Sequence, residues 1–186
     1  SSAASDVYKR QNVYNGAEFE NYRSNRQDSS SITNPVIRQI FEENKNILWI
    51  TTDYGINRFN IATKKFQPYY LGYKDKETFR EHSFLATRNS EGLILAASYK
   101  SGIYKFNTKS EDFEPFPIPE IDKNNIIQLF FDSSDNLWIV NDKNEIFRLK
   151  IKSDKITEKQ KITPPADFLH LCYDKKEKIW FQYENY

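Results

Sequence analysis

Hydrophobic and polar positions along the chain alternate in short blocks rather than in long stretches. Apolar runs of roughly four to seven residues are separated by polar turns of Asn, Asp, Ser, Lys and Gly, and no run has the length of an ordinary helix. β-Branched and aromatic residues dominate the runs, and such side chains suit a pleated, half-buried surface. The pattern therefore predicts an all-β fold.

The three tryptophans show that this pattern repeats. Trp49 lies in NKNILWITT, Trp138 in SSDNLWIVN and Trp180 in KKEKIWFQY. A fourth copy, NSEGLILAAS, has Ile94 at the Trp position, which gives spacings of 45, 44 and 42 residues along the chain. Every tryptophan thus occupies the same position of one repeat.

The similarity extends to both sides of the tryptophan, so that each unit holds four apolar runs. The first runs lie at 37–43, 84–89, 126–132 and 168–174, and later runs include GINRFN, GIYKFN and EIFRLK. Four short strands in about 42 to 45 residues are typical of one β-propeller blade. We predict a partial β-propeller, an open arc of about four four-stranded antiparallel blades.

The repeats also predict the organisation of the chain. We expect the end of a truncated blade and a connector at 12–35, blades at 36–82, 83–125 and 126–167, and a truncated blade at 168–186. Residues 1–11 are set apart, because DVYKRQ is similar to a translated transposon-derived sequencing adaptor; a disordered polar terminus is the alternative. The chain has no methionine, and we expect it to be a piece of a longer protein.

Within a blade, the repeated residues have packing roles. Large apolar side chains should fill the space between neighbouring blades, and glycine should open the third strand where a turn needs a positive φ. The residues with these predicted roles are Trp49, Ile94, Trp138, Trp180, Phe59, Phe106, Gly55 and Gly102. Cys172 occupies the repeat position of Phe41, so we expect a buried and unreactive thiol.

Composition narrows the function further. The 27 basic and 26 acidic residues leave a net charge of +1, which gives no electrostatic case for a nucleic-acid partner. The single cysteine excludes an internal disulfide and a cysteine-based zinc site. His82 and His170 lie far apart without a second ligand at metal spacing, and no phosphate loop is present. We therefore predict no catalytic residue, no metal and no cofactor in this segment.

The stretch SITNPVIRQIFEENKNILWITTDYGINRFN resembles the two-component regulator propeller repeat, and the segments DNLWIVN and KIWFQY are similar to weaker copies of it. The resemblance covers 15–186. It implies a periplasmic, ligand-sensing part of a hybrid two-component histidine kinase from Bacteroidetes-type bacteria, which responds to an oligosaccharide and signals as a homodimer. Membrane attachment and phosphorelay would belong to other parts of such a protein.

The resemblance places ligands at the loops on one face of a propeller. In this chain those loops include the turns between second and third strands, which carry Asp53, Tyr54, Tyr99 and Lys100. Their polar groups and aromatic rings could hold a sugar ring, and we take them as candidate ligand-binding residues. Two alternatives remain open from the sequence, namely a non-sensory scaffold that binds proteins and a propeller hydrolase.

Overall fold

A computed structural model describes residues 11–14, 19–25, 27–71, 84–98, 101–119, 121, 126–164, 168, 170–174 and 178–183. All regular structure in these residues is β-strand, in antiparallel sheets whose strands are mostly neighbours in sequence, which confirms the predicted all-β partial propeller fold. No helix long and apolar enough to cross a membrane occurs among the described residues. The chain divides into two compact units, 1–84 and 85–186.

The first unit contains a two-stranded and a four-stranded sheet. Its strands are β1 (Gln11–Tyr14), β2 (Phe19–Tyr22), β3 (Ile37–Asn44), β4 (Ile47–Thr52), β5 (Gly55–Asn60) and β6 (Lys65–Tyr69). The four-stranded sheet, which we call the first repeat, has the order β3-β4-β5-β6. Gln11, the last residue of the segment set apart from the fold, pairs with Tyr22 in the β1–β2 ladder.

The core of the first unit joins its two sheets. Ile50, Phe59 and Phe66 form a buried cluster with Ile32 from the connector. The ring of Tyr22 packs edge-on against Phe59 and Phe66, with centroids 5.2 and 5.4 Å apart. Aromatic side chains of the outer strands thus hold the partial sheet against the complete one.

The second unit contains three further sheets. The second repeat comprises β7 (Phe84–Arg88), β8 (Ile94–Ser98), β9 (Gly102–Asn107) and β10 (Asp112–Pro115). The third repeat comprises β11 (Ile126–Phe131), β12 (Asn136–Asn141), β13 (Ile146–Lys152) and β14 (Lys155–Ile162), and a two-stranded sheet holds β15 (His170–Tyr173) and β16 (Ile179–Gln182).

The sheets of the second unit pack face to face. Leu95 and Ala97 of the second repeat share one buried cluster with Leu129 and Ile139 of the third. On the other face of the third repeat, Trp138 belongs to a cluster with residues of the next sheet, including Leu171. Because β12 is covered on both faces, all six of its residues are buried, and its sequence is therefore an almost continuous apolar run.

Burial at one repeat position depends on the neighbouring sheet. Ile40 pairs with Ile50 as Leu129 pairs with Ile139, so Ile40 and Leu129 are equivalent. Leu129 is 1% exposed because it lies in the cluster shared with the second repeat, whereas Ile40 is 57% exposed. Local sequence alone does not distinguish these two environments.

Candidate functional site

The turn between β4 and β5 carries two of the predicted ligand residues. Thr52 Oγ1 accepts a hydrogen bond from the Tyr54 backbone N–H at 3.1 Å and donates to the Gly55 carbonyl at 3.0 Å. Gly55 has φ +150°, and a Cβ there would lie 3.1 Å from Tyr70 Cε1 and 3.2 Å from the Tyr69 carbonyl oxygen. Local hydrogen bonds and close backbone contact therefore fix the conformation of this turn.

A buried asparagine ties the turn to the connector before β3. Asn57 is 0% exposed; its Oδ1 accepts from the Thr33 N–H at 3.0 Å, and its Nδ2 donates to Thr33 Oγ1 at 2.9 Å. The Thr33 hydroxyl lies 2.8 Å from the Thr52 hydroxyl, which completes a chain of donors from Asn57 to the turn. The turn is thus a preformed platform rather than a loose loop.

Asp53 and Tyr54 project from this platform. Asp53 Oδ1 accepts from Arg38 Nε at 2.6 Å, and the Asp53 N–H donates to the Val36 carbonyl at 3.3 Å. The Tyr54 residue is 38% exposed. The turn therefore presents an accessible aromatic ring beside an ion-paired carboxylate. The sequence pattern does not indicate that Arg38 belongs to this group.

The other two ligand residues, Tyr99 and Lys100, lie outside the described residues, as does His82. No group of three His, Cys, Asp or Glu side chains placed to hold a metal ion occurs in the part of the chain that the structure describes.

A second constellation surrounds each tryptophan. The indole N–H donates to the carboxylate six residues earlier: Trp49 to Glu43 at 2.8 Å, Trp138 to Asp132 at 2.8 Å and Trp180 to Asp174 at 3.0 Å. Sequence reasoning missed this contact, although the constant spacing of Glu or Asp before Trp was a usable signal. The contact satisfies the only polar group of a large apolar side chain.

Arginine completes the constellation in two repeats. Arg58 lies over the Trp49 ring and Arg148 over the Trp138 ring, each with its guanidinium carbon 5.9 Å from the ring centroid. Arg58 also pairs with Glu43, with Nη2 and Oε1 2.8 Å apart. We call this set of carboxylate, tryptophan and arginine the Trp triad.

Asp132 has the most complete set of partners. Its Oδ1 accepts from the Ser134 and Asn136 N–H groups, each at 2.9 Å, and its Oδ2 accepts from Asn136 Nδ2 and Trp138 Nε1, each at 2.8 Å. Burial raises the pKa of this carboxyl, but the hydrogen bonds from Trp138, Asn136 and Ser134 outweigh burial, and the net pKa is lowered. The carboxylate is used within the protein and is not presented to a substrate.

The packing residues differ in their burial. Trp49 and Trp138 are 0% and 3% exposed, and Phe59 and Phe106 are also buried, whereas Trp180 is 57% exposed. Trp180 pairs with Cys172 on the face of the last sheet that corresponds to the Trp138 face of the third repeat. Cys172 is exposed on this same face, contrary to the expected buried thiol, because strand alternation turns Leu171 rather than Cys172 toward the core.

In the second repeat, strand pairing places Leu95 at the position equivalent to tryptophan, one residue after the predicted Ile94. Leu95 pairs with Lys105, as Trp49 pairs with Arg58 and Trp138 with Arg148. The turn after the first strand supports the same alignment. Asn89 Oδ1 accepts a hydrogen bond from the Leu93 N–H, four residues later, just as Asp132 Oδ1 accepts one from the Asn136 N–H. Leu95, and not Ile94, therefore stands where the other repeats have tryptophan; Ile94 is buried on the opposite face.

The last two residues with predicted packing roles are the glycines that open the third strands of the first and second repeats. Gly102 begins β9 with φ +81°, and Gly55 begins β5 with φ +150°. Both are buried. A residue with a side chain would be strained at either turn.

Comparison with solved structures shows two that share this fold. The chain is similar to the extracellular domain named for the one-component system BT4673 of B. thetaiotaomicron, with a TM-score of 0.66 and 19% identity over 88% of this chain and 24% of that one. It is also similar to the extracellular domain named for the hybrid two-component system BT4673 of that organism, with a TM-score of 0.61 and 13% identity over 93% of this chain and 23% of that one.

These similarities concern the fold. The chain spans about a quarter of the length of either structure. No family model matches the chain. No curated protein matches it either.

Proposed function

We propose that this chain is part of the extracytoplasmic sensor region of a hybrid two-component receptor, and that it contributes a non-catalytic, ligand-binding surface. The observation that carries the proposal is the likeness to two extracellular domains that are named for such signalling systems. The sequence resemblance to the two-component regulator propeller repeat supports the same class of protein. In the full-length protein, phosphotransfer belongs to other domains, and we expect a homodimer in the periplasm.

For the ligand, we propose an oligosaccharide bound at the β4–β5 turn. An exposed tyrosine ring gives an apolar face for a pyranose, and the neighbouring Asp53–Arg38 pair offers acceptors and donors to hydroxyl groups. The Asn57–Thr33–Thr52 network supports this use, because a rigid site loses less entropy on binding. Tyr99 and Lys100 are proposed to contribute from the corresponding turn of the second repeat.

The test uses the full-length receptor in its host, with transcription of its target genes as the readout and a panel of oligosaccharides as inducers. We expect Tyr54→Ala to raise the inducer concentration for half-maximal response by about tenfold or more, in line with the loss of one stacking contact. Tyr183→Ala is the matched control, because Tyr183 is 41% exposed and Tyr54 is 38% exposed. An unchanged response of Tyr54→Ala would refute this placement of the ligand.

A further inference from the structure

The second repeat lacks the whole Trp triad, not only its tryptophan. Its three equivalent residues are all smaller or differently charged. The equivalent sets are Glu43, Trp49 and Arg58 in the first repeat, Asp132, Trp138 and Arg148 in the third, and Asn89, Leu95 and Lys105 in the second. The carboxylate that accepts the indole N–H has thus changed together with the indole.

This change leaves a polar group without its partner. Asn89 is 4% exposed, and its Oδ1 accepts the Leu93 N–H at 2.8 Å, as Asp132 Oδ1 accepts from Asn136. The Asn89 Nδ2 atom therefore stands where Asp132 Oδ2 receives the Trp138 indole. Among the described residues no hydrogen bond from Asn89 Nδ2 is found. Because Asn89 lines an open recess, its side-chain NH₂ group is left to donate to solvent or to a ligand.

A recess of about 470 Å³ lies beside this group, within the second unit. It is bounded by the turns of the second repeat and by the β13–β14 turn of the third. Its polar lining includes Asn89, Lys105, Asn107, Thr108, Ser153 and Asp154. A volume of this size is within the range of small-molecule sites.

The charges around the recess balance. Lys105 Nζ lies 3.1 Å from Asp154 Oδ2 and 3.2 Å from Glu114 Oε1. Lys109 and Glu91, which also line the recess, carry opposite charges. An anion or a cation would meet a group of its own sign, whereas a neutral ligand with many hydroxyl groups can both donate and accept.

We propose that the recess between the second and third repeats binds a neutral, polyhydroxylated ring of one or two sugar units, with Asn89 Nδ2 donating to a ligand oxygen. This inference rests on the proposed function for the class of ligand, and it names a second site, distinct from the β4–β5 turn. The ion-paired Lys105 ammonium and Asp154 carboxylate supply a donor and an acceptor side by side.

The probes are glucose, galactose, mannose, xylose and maltose, with glucuronate as the charged counterpart, titrated into the isotopically labelled chain and followed by amide NMR shifts. We expect at least one neutral sugar to shift the Asn89 side-chain amide saturably, and glucuronate to bind about tenfold more weakly. No saturable shift with any neutral sugar would overturn the inference, while the receptor response of the proposed function would remain a separate measurement.

Two variants locate the site. Asn89→Asp/Leu95→Trp/Lys105→Arg rebuilds the Trp triad of the sister repeats and should abolish binding, because Asn89→Asp removes the Nδ2 donor and Lys105→Arg enlarges a side chain that lines the recess. Asp154→Asn keeps the turn, because asparagine tolerates the φ of +62° at this residue, and should weaken binding about tenfold. Binding that survives both variants, or that is lost in Tyr54→Ala instead, would refute a site in this recess.

Discussion

Replacing Asp132 with asparagine keeps the size of the side chain and removes its charge and one acceptor. The Oδ1 end can still accept from the Ser134 and Asn136 N–H groups. The other end becomes an NH₂ group, and it faces Trp138 Nε1 and Asn136 Nδ2, which are both donors. The substitution therefore places the new NH₂ group against two other donors, at a position that is only 7% exposed.

The magnitude follows from these contacts. Hydrogen bonds to a charged group contribute about 1.5–3 kcal/mol each. Reorientation of the Asn136 amide can restore one of the two lost bonds, because its Oδ1 is buried without a partner, but the indole N–H of Trp138 cannot rotate. We expect Asp132→Asn to lower the free energy of unfolding by about 2–4 kcal/mol at neutral pH.

The effect depends on pH in a defined direction. The pKa of Asp132 is lowered in the folded protein. Its contribution is therefore fully present above the unfolded pKa, which is about 3.9, and is lost as pH falls through the folded pKa. The difference between wild type and Asp132→Asn should be constant from pH 7 to about pH 5 and shrink below about pH 4.

The assay is urea unfolding followed by tryptophan fluorescence, with hydrogen exchange of the β11–β12 hairpin as a local measure. Asp174→Asn is the matched control: Asp174 accepts the same indole bond from Trp180 at 3.0 Å, but Trp180 is 57% exposed, so the loss should stay below about 1 kcal/mol. Equal losses in the two variants, or a difference that does not change between pH 7 and pH 3, would refute the reasoning.

Three further predictions concern other parts of the chain. Gly55→Ala should destabilise the protein by at least about 1 kcal/mol more than Gly92→Ala in urea unfolding, because only the first places a Cβ against backbone and ring atoms, and equal losses would contradict this. Gln128→Leu removes a carboxamide that bonds the N–H and the carbonyl of Leu171, each at 3.0 Å, so hydrogen exchange of β15 should accelerate about tenfold, with β4 as the unchanged internal control. Cys172 should react with a thiol reagent in the native protein at a rate within about tenfold of the urea-unfolded rate; strong protection would show that it is buried after all.

The sequence predicted the strands well because inner strands covered on both faces are continuous apolar runs, as in β12. The repeat spacing then fixed the number of strands in each sheet. It did not fix the register in the second repeat, where Ile94 and Leu95 are both aliphatic and both buried. The pairing of Leu95 with Lys105 and the turn hydrogen bond of Asn89 distinguish them.

The candidate site was less accessible from the sequence. Their place in a turn makes Asp53 and Tyr54 candidate ligand residues, but Arg38, the partner of Asp53, lies 15 residues earlier on another strand. The exposure of Trp180 and Cys172 depends on which sheet packs against theirs, and that property is absent from the local pattern. Tertiary neighbours, rather than propensity, decide these cases.

The Trp triad constrains the order in which the repeats can diverge. Tryptophan at position 95 would place its indole N–H against the amide donor of Asn89, so this substitution alone would be unfavourable until an acceptor is present at position 89. An aspartate there without the tryptophan would instead leave a buried carboxylate lacking its donor. Either single substitution therefore gives a less stable protein. Paired substitutions at positions 89 and 95 avoid this intermediate, so we expect the two positions to change together.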